Sequence, residues 1–250
     1  MIQVQSLAFG TFAEAEPLNP QFSDGHPKLR VTVDTEADPD VADREVLRRL
    51  EDAFPGLGQH HCGASGNPEA PPKATGVLLL DNQVSANLAH ILEHLLLEML
   101  AVLGREGRLS GVTCAYRSPP ERNDVFVECA DRRAGGVAVP LAVETVNAAL
   151  GGLALAPSYP DAVLCLRTLL TTNGREIQAA SRLSRLAGLP HDRATPALGV
   201  LARIGLVEEE RYSMNLSGEP FYRLVDGRAL PHAQPPPHAQ PLVAPQFRQE

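Results

Sequence analysis

The chain has 250 residues, with 44% hydrophobic and 21% charged side chains and a formal net charge of −8. That composition is that of a soluble globular protein long enough for one large domain or two small ones. The negative balance argues against nonspecific binding to nucleic acid or to an anionic membrane. Tryptophan is absent, so the core must be aliphatic.

In chain order, residues 1–35 read as short strands and loops, with "IQVQSLAF" and "LRVTVDT" rich in β-branched residues. "DPDVADREVLRRLEDAFPGL" reads as a helix stopped at Pro55-Gly56. "GASGNPEAPPKATG" is a Gly/Pro-rich loop, and "VLLLDN" a short strand. A helix is expected from about Ser85, a suitable N-cap, to Leu103, with Gly104 as its stop. "SGVTCAYRS" and "NDVFVECA" read as paired strands joined by "PPERN". "AGGVAVPLAVETVNAALGG" reads as a helix in which Pro140 marks a kink or the true start.

After the linker "LALAPSYP" the pattern changes. Three short helices are expected, over "DAVLCLRTLLTT", "EIQAASRLSRLAGLP" and "DRATPALGVLARIGLVEEE", followed by a two-stranded ribbon up to Asp226. This is the layout of a winged helix-turn-helix. The expected architecture is therefore an α+β domain over 1–156, a small mixed or antiparallel sheet with packed helices, then a winged helix-turn-helix domain over 160–226. The proline-dense stretch 227–250, with its repeated PHAQP, is expected to be extended or disordered, and its His232 and His238 to be solvated.

The chemistry centres on "LAHILEHLLLEML", residues 88–100. His90 and His94 lie one helical turn apart on one face, and imidazoles at that spacing can grip one zinc ion. Glu93 stands beside that face. The order His-x-x-Glu-His is the reversed zinc-protease motif. In that chemistry the glutamate acts as general base toward a water activated by the metal. The bland alternative is a pair of core histidines. A third ligand must come from elsewhere: Glu128, in the apolar strand "VFVECA", or one of His60 and His61 in "GLGQHHC". Glu98 lies too far along the helix axis to close the site, and is expected to orient a histidine or to face solvent.

These pieces together resemble the N-terminal domain of cyanophycin synthetase over about residues 45–150. "FPGLGQHHC" is similar to its Leu-Pro-x-Leu-x-Glu-His-x-Cys segment, with Pro55, Leu57, His60 and Cys62 in matching places and Gln59 where the family has glutamate. "LAHILEHLLLEML" resembles its histidine helix, and "VFVECADRRAGG" its closing strand-to-helix step, which puts Glu128 on the family's glutamate. The family's Gly-Arg-Thr-Arg stretch is reduced here to "CAYRS", leaving Arg117 as one arginine's equivalent. The resemblance implies a metallopeptidase-like module, here without the synthetase's other two domains. The expected function is zinc-dependent cleavage of a peptide or isopeptide bond, in an Asp/Arg-containing polymer or peptide, with Arg117 pairing with a substrate carboxylate. Residues 1–157 carry 12 Lys+Arg against 21 Asp+Glu, which suits an arginine-bearing substrate.

The rival reading is a regulator. The front domain would sense a metal or peptide ligand, and the winged helix would act on DNA or on a protein partner. Arg193, Thr195 and Arg203 on the third helix, with Arg182 and Arg185 on the second, are the candidate DNA contacts. Residues 158–226 carry eight arginines and eight acids, so protein contact or self-association is favoured over a duplex. No membrane partner is expected. The start "MIQVQSLAFGTFAEAE" lacks the marks of a signal peptide, so a cytoplasmic location is the default expectation.

Overall fold

The computed structural model describes residues 1–22, 25–36, 43–62, 77–79, 87–104, 109–172, 177–211 and 218–225. Within them lie six α-helices and antiparallel sheets, a mixed α/β arrangement. Strands β1 (Ile2–Gly10), β2 (Lys28–Thr35), β5 (Gly111–Ala115) and β6 (Arg122–Glu128) form the main sheet, in the order β1-β2-β6-β5. Two further strands, β3 (His61–Cys62) and β4 (Val77–Leu78), make a short separate ribbon.

Strand alternation sorts the main sheet into two faces. In register, Leu29 pairs with Val127 and Val31 with Val125, and all four enter the main core. The intervening residues Lys28, Arg30 and Thr32 pair with Glu128, Phe126 and Asp124, and belong to the other face. There Phe126 and Cys114 pack against Ala15 and Phe22 from the segment before β2. Both faces are thus covered, which is why β6 is buried along nearly its whole length.

Asp124 anchors the second face. Its carboxylate accepts from Thr32 Oγ1 at 2.7 Å, Arg30 Nη2 at 2.6 Å and the Tyr116 hydroxyl at 3.0 Å. Breaking a buried charge pair by removing one partner leaves the other charge uncompensated. Asp124→Ala is expected to lower stability by about 3–5 kcal/mol. Urea unfolding would read this as a fall in midpoint with little change in slope.

Helices α1 (Asp43–Ala53), α2 (Leu88–Gly104) and α3 (Arg132–Leu150) contribute their apolar sides to the main core, through Leu50, Leu92, Leu96 and Val139 among others. α2 is apolar almost all round, as a helix enclosed by neighbours must be. The sequence suggested Ser85 as its cap, a position outside the described residues. Asn87 does this work: its Oδ1 accepts from the His90 backbone N–H at 2.9 Å. α3 begins upstream of the expected stretch because Asp131 caps it, accepting from Arg133 N at 2.8 Å, and it runs through Pro140.

The remaining described chain forms α4 (Ser158–Thr171), α5 (Ala180–Ala187), α6 (His191–Arg203) and a three-stranded sheet. That sheet has the order β7-β9-β8, with β7 at Gln178–Ala179, β8 at Val207–Glu210 and β9 at Phe221–Leu224. The second helix of this part was expected to include residues 176–179. Gln178 and Ala179 instead pair with Tyr222 and Phe221, and the helix starts at Ala180. Gly188, at φ +71°, ends α5, with Leu189 N donating to Ser184 O at 2.9 Å. The buried residues of α4 and α6 join those of α2 and α3 in one continuous apolar cluster. No helix among the described residues is long and apolar enough to cross a membrane.

Candidate metal centre

The i, i+4 spacing on α2 brings the rings of His90 and His94 together, with their Nε2 atoms 3.1 Å apart. Cys62, on β3, meets both: its Sγ lies 3.5 Å from His90 Nε2 and 3.4 Å from His94 Nε2. Among the described residues these three form the group whose donor atoms are mutually close enough to hold a metal ion. The spacing can be tested against zinc. Bonds of about 2.0–2.1 Å to nitrogen and about 2.3 Å to sulfur, at tetrahedral angles, put nitrogens about 3.3 Å apart and sulfur about 3.6 Å from each nitrogen. The triangle in the protein is within a few tenths of an ångström of that on every edge, so the residues present fit such an ion.

Cys62 is brought in by a short ribbon in which it pairs with Val77 and His61 with Leu78. In this extended segment residues two apart face the same way. His60 and Cys62 both reach His94, whereas His61 is exposed, its Nδ1 3.1 Å from the Gln59 carbonyl oxygen. His60 Nδ1 is 3.1 Å from His94 Nδ1, and His60 Nε2 is 3.0 Å from Glu98 Oε2. Glu98 thus orients a histidine other than the two on its own helix.

Glu93 is buried against β5. Thr113 Oγ1 donates to its Oε2 at 2.6 Å. A Cβ added at Gly111 would lie 2.9 Å from its Oε1, so the backbone closes on the carboxylate there. Burial pushes its pKa up to about 7, against the opposing pull of the Thr113 hydrogen bond. Burial, and then the nearby Glu93 charge, push the Cys62 thiol up to about 12. His94 is moved well below the usual histidine range by burial and by His90, His60 and His61 around it. The ring is therefore neutral near pH 7, the form in which a histidine ligates a metal.

Two residues singled out in the sequence lie elsewhere. Glu128 is on β6, but with the parity of Phe126 and Asp124, on the sheet face turned away from α2. Its Oε2 accepts from the Ser110 backbone N–H at 3.0 Å, and it is not one of the three residues whose donor atoms converge, where Cys62 stands beside His90 and His94. Arg117 is exposed in the β5–β6 turn, at the opposite end of the hairpin from Gly111. In the second part of the chain, Arg193 makes a two-pronged pair with buried Asp161, at 2.8 and 2.7 Å. Arg203 bonds Glu144 at 2.9 Å and the Tyr159 hydroxyl at 3.0 Å. Thr195 donates its hydroxyl to the His191 carbonyl at 2.9 Å. Three of the five candidate DNA contacts are therefore engaged within the chain. His232 and His238 lie outside the described residues.

Fold and site together define a small α+β domain with a Cys/His/His group able to hold a metal ion. Comparison with known families is more specific: residues 28–151 match the cyanophycin synthase-like N-terminal domain, and this stretch of the chain belongs to that family. A search of curated proteins finds no match to the chain.

Proposed function

We propose that the front part of this chain is a zinc-dependent hydrolase of peptide or amide bonds. The observation that carries the reading is the convergence of Cys62, His90 and His94 at tetrahedral spacing, three protein donors that leave a fourth position for water or substrate. Zinc bound there would polarise a substrate carbonyl and acidify water. Glu93 is the assigned general base. Thr113 holds its Oε2, so Oε1 is the oxygen to take the proton of the attacking water and to deliver it to the leaving amine. The net of −9 over residues 1–157 favours a cationic, arginine-bearing peptide or Asp/Arg polymer. Arg117, exposed in the β5–β6 turn and away from the three donors, is assigned to a more distant carboxylate of the substrate and not to the bond-breaking step. The four cysteines are free, which fits a reducing, cytoplasmic setting.

The back part is read as a winged helix-turn-helix, on the strength of three helices and a small antiparallel sheet whose strand β7 lies between α4 and α5 and whose β8 and β9 follow α6. The engagement of Arg193 and Arg203 within the chain favours a protein partner or a second copy over DNA. If that part acts alone and the metal group only senses a ligand, the chain is a regulator and not an enzyme. Elemental analysis of purified protein, paired with hydrolysis of an Asp–Arg peptide, separates the two. The hydrolase reading expects one zinc per chain and release of product. Stoichiometric metal without turnover on Asp/Arg peptides or on the polymer would favour the sensor.

A further inference from the structure

We propose that Glu98 and His60 form a relay that fixes His94 in the tautomer whose bare Nε2 faces Cys62 and His90. The proposal rests on the reading of that group as a metal site, and names the residues that prepare it. Both ring nitrogens of His94 are in use: Nε2 lies 3.4 Å from Cys62 Sγ, and Nδ1 lies 3.1 Å from His60 Nδ1. Two like nitrogens at that distance need one proton between them, and its owner is decided further along. His60 Nε2 faces Glu98 Oε2 at 3.0 Å. A carboxylate oxygen only accepts, so His60 Nε2 carries the proton and donates. In the His60 tautomer so defined, Nδ1 is bare and accepts from His94 Nδ1–H. Neutral His94 is left with its lone pair on Nε2, the atom on the metal side.

A second feature supports the relay. Glu98 lies one turn beyond His94 on α2, and its carboxylate is seated over Gly56, where an added Cβ would be 2.1 Å from Oε1. Gly56 belongs to the 3-10 turn Pro55–Gln59 that leads directly into His60. One turn of chain thus supplies both the opening that receives Glu98 and the histidine that Glu98 directs. His60 and Glu98 are positioning residues here, since neither lies in the group of donors itself.

The test uses the full chain, with zinc as the probe and long-range nitrogen-15 NMR of the imidazoles as a readout independent of activity. Metal-free wild-type protein should show His94 as the Nδ1–H tautomer. His60→Ala and Glu98→Ala should each weaken zinc binding about 10–100-fold, the usual effect of losing an outer hydrogen-bond partner of a ligand. Glu98→Gln, whose amide oxygen can still accept from His60, should lose less than Glu98→Ala. Wild-type His94 protonated mainly on Nε2 would overturn the relay, as would unchanged zinc affinity in His60→Ala. A wild-type protein that bound no zinc would instead remove the hydrolase reading, and the NMR result would still decide the relay. That measurement needs no variant, so loss of folding in a mutant cannot shield the proposal.

Discussion

Cys62→Ala is expected to lower zinc affinity by more than the about 10–100-fold that follows loss of a ligand's outer partner, because it removes a ligand. The same is expected of His94→Ala. The magnitude rests on how few donors there are: with three protein ligands, losing one leaves a two-coordinate remnant no better than scattered surface histidines. A chromophoric chelator competed against the protein reads the constant directly. The pH dependence has a definite sign. Burial holds the free Cys62 thiol up to about 12, so it is protonated near neutrality, yet the ligand must be thiolate. Binding expels that proton, and affinity should rise with pH by up to tenfold per unit below the thiol pKa. In Cys62→Ala this proton is no longer released, and the slope should flatten. His94, moved down in pKa, adds no competing proton near pH 7.

Glu93→Gln is expected to abolish hydrolysis while leaving metal binding intact. Glutamine keeps the shape and can still accept from Thr113, but it cannot take a proton. Loss of a positioned general base is worth about 10²–10⁴ in rate. The measurement is kcat on an Asp–Arg peptide, alongside zinc content of the same preparation. A carboxylic acid raised to about 7 by burial is close to the operating range of a neutral-pH base, and a cation beside it would favour its charged form. Gly111→Ala probes the same group by crowding: the new methyl would meet Glu93 Cγ and Oε1 at 2.9 Å. It should lower kcat with the metal retained, since the three heavy atoms nearest the new methyl all belong to Glu93. Turnover unchanged in Glu93→Gln would remove this residue from the chemistry.

Much of the fold could be read from local pattern. Strands β5 and β6, with the turn between them, follow from alternation and a Pro-Pro step. α2 follows from its apolar run and the glycine that ends it. The errors have physical causes. Asn87 caps α2, and by residue type Ser85, which lies outside the described residues, is an equally good cap. Gln178 and Ala179 satisfy a helical pattern, and the strand they form depends on a partner, β9, more than forty residues later. At the site, His90 and His94 were visible because helical spacing is local. Cys62 was not, since no periodicity links it to α2. A usable signal was present in "QHHC": in an extended segment His60 and Cys62 share a face while His61 opposes them. For Glu128 the strand was legible and the side of it was not. Its neighbours Phe126 and Val127 are both buried, because both faces of the sheet are covered, so hydrophobicity could not tell which parity faces α2.

The proposed chemistry stands or falls on which atoms hold the metal. X-ray absorption at the zinc edge of the loaded full-length protein reads this most directly. One sulfur at about 2.3 Å with two imidazole nitrogens at about 2.0–2.1 Å is the predicted first shell. A shell of nitrogen and oxygen alone, or a protein that takes up no zinc, would contradict it.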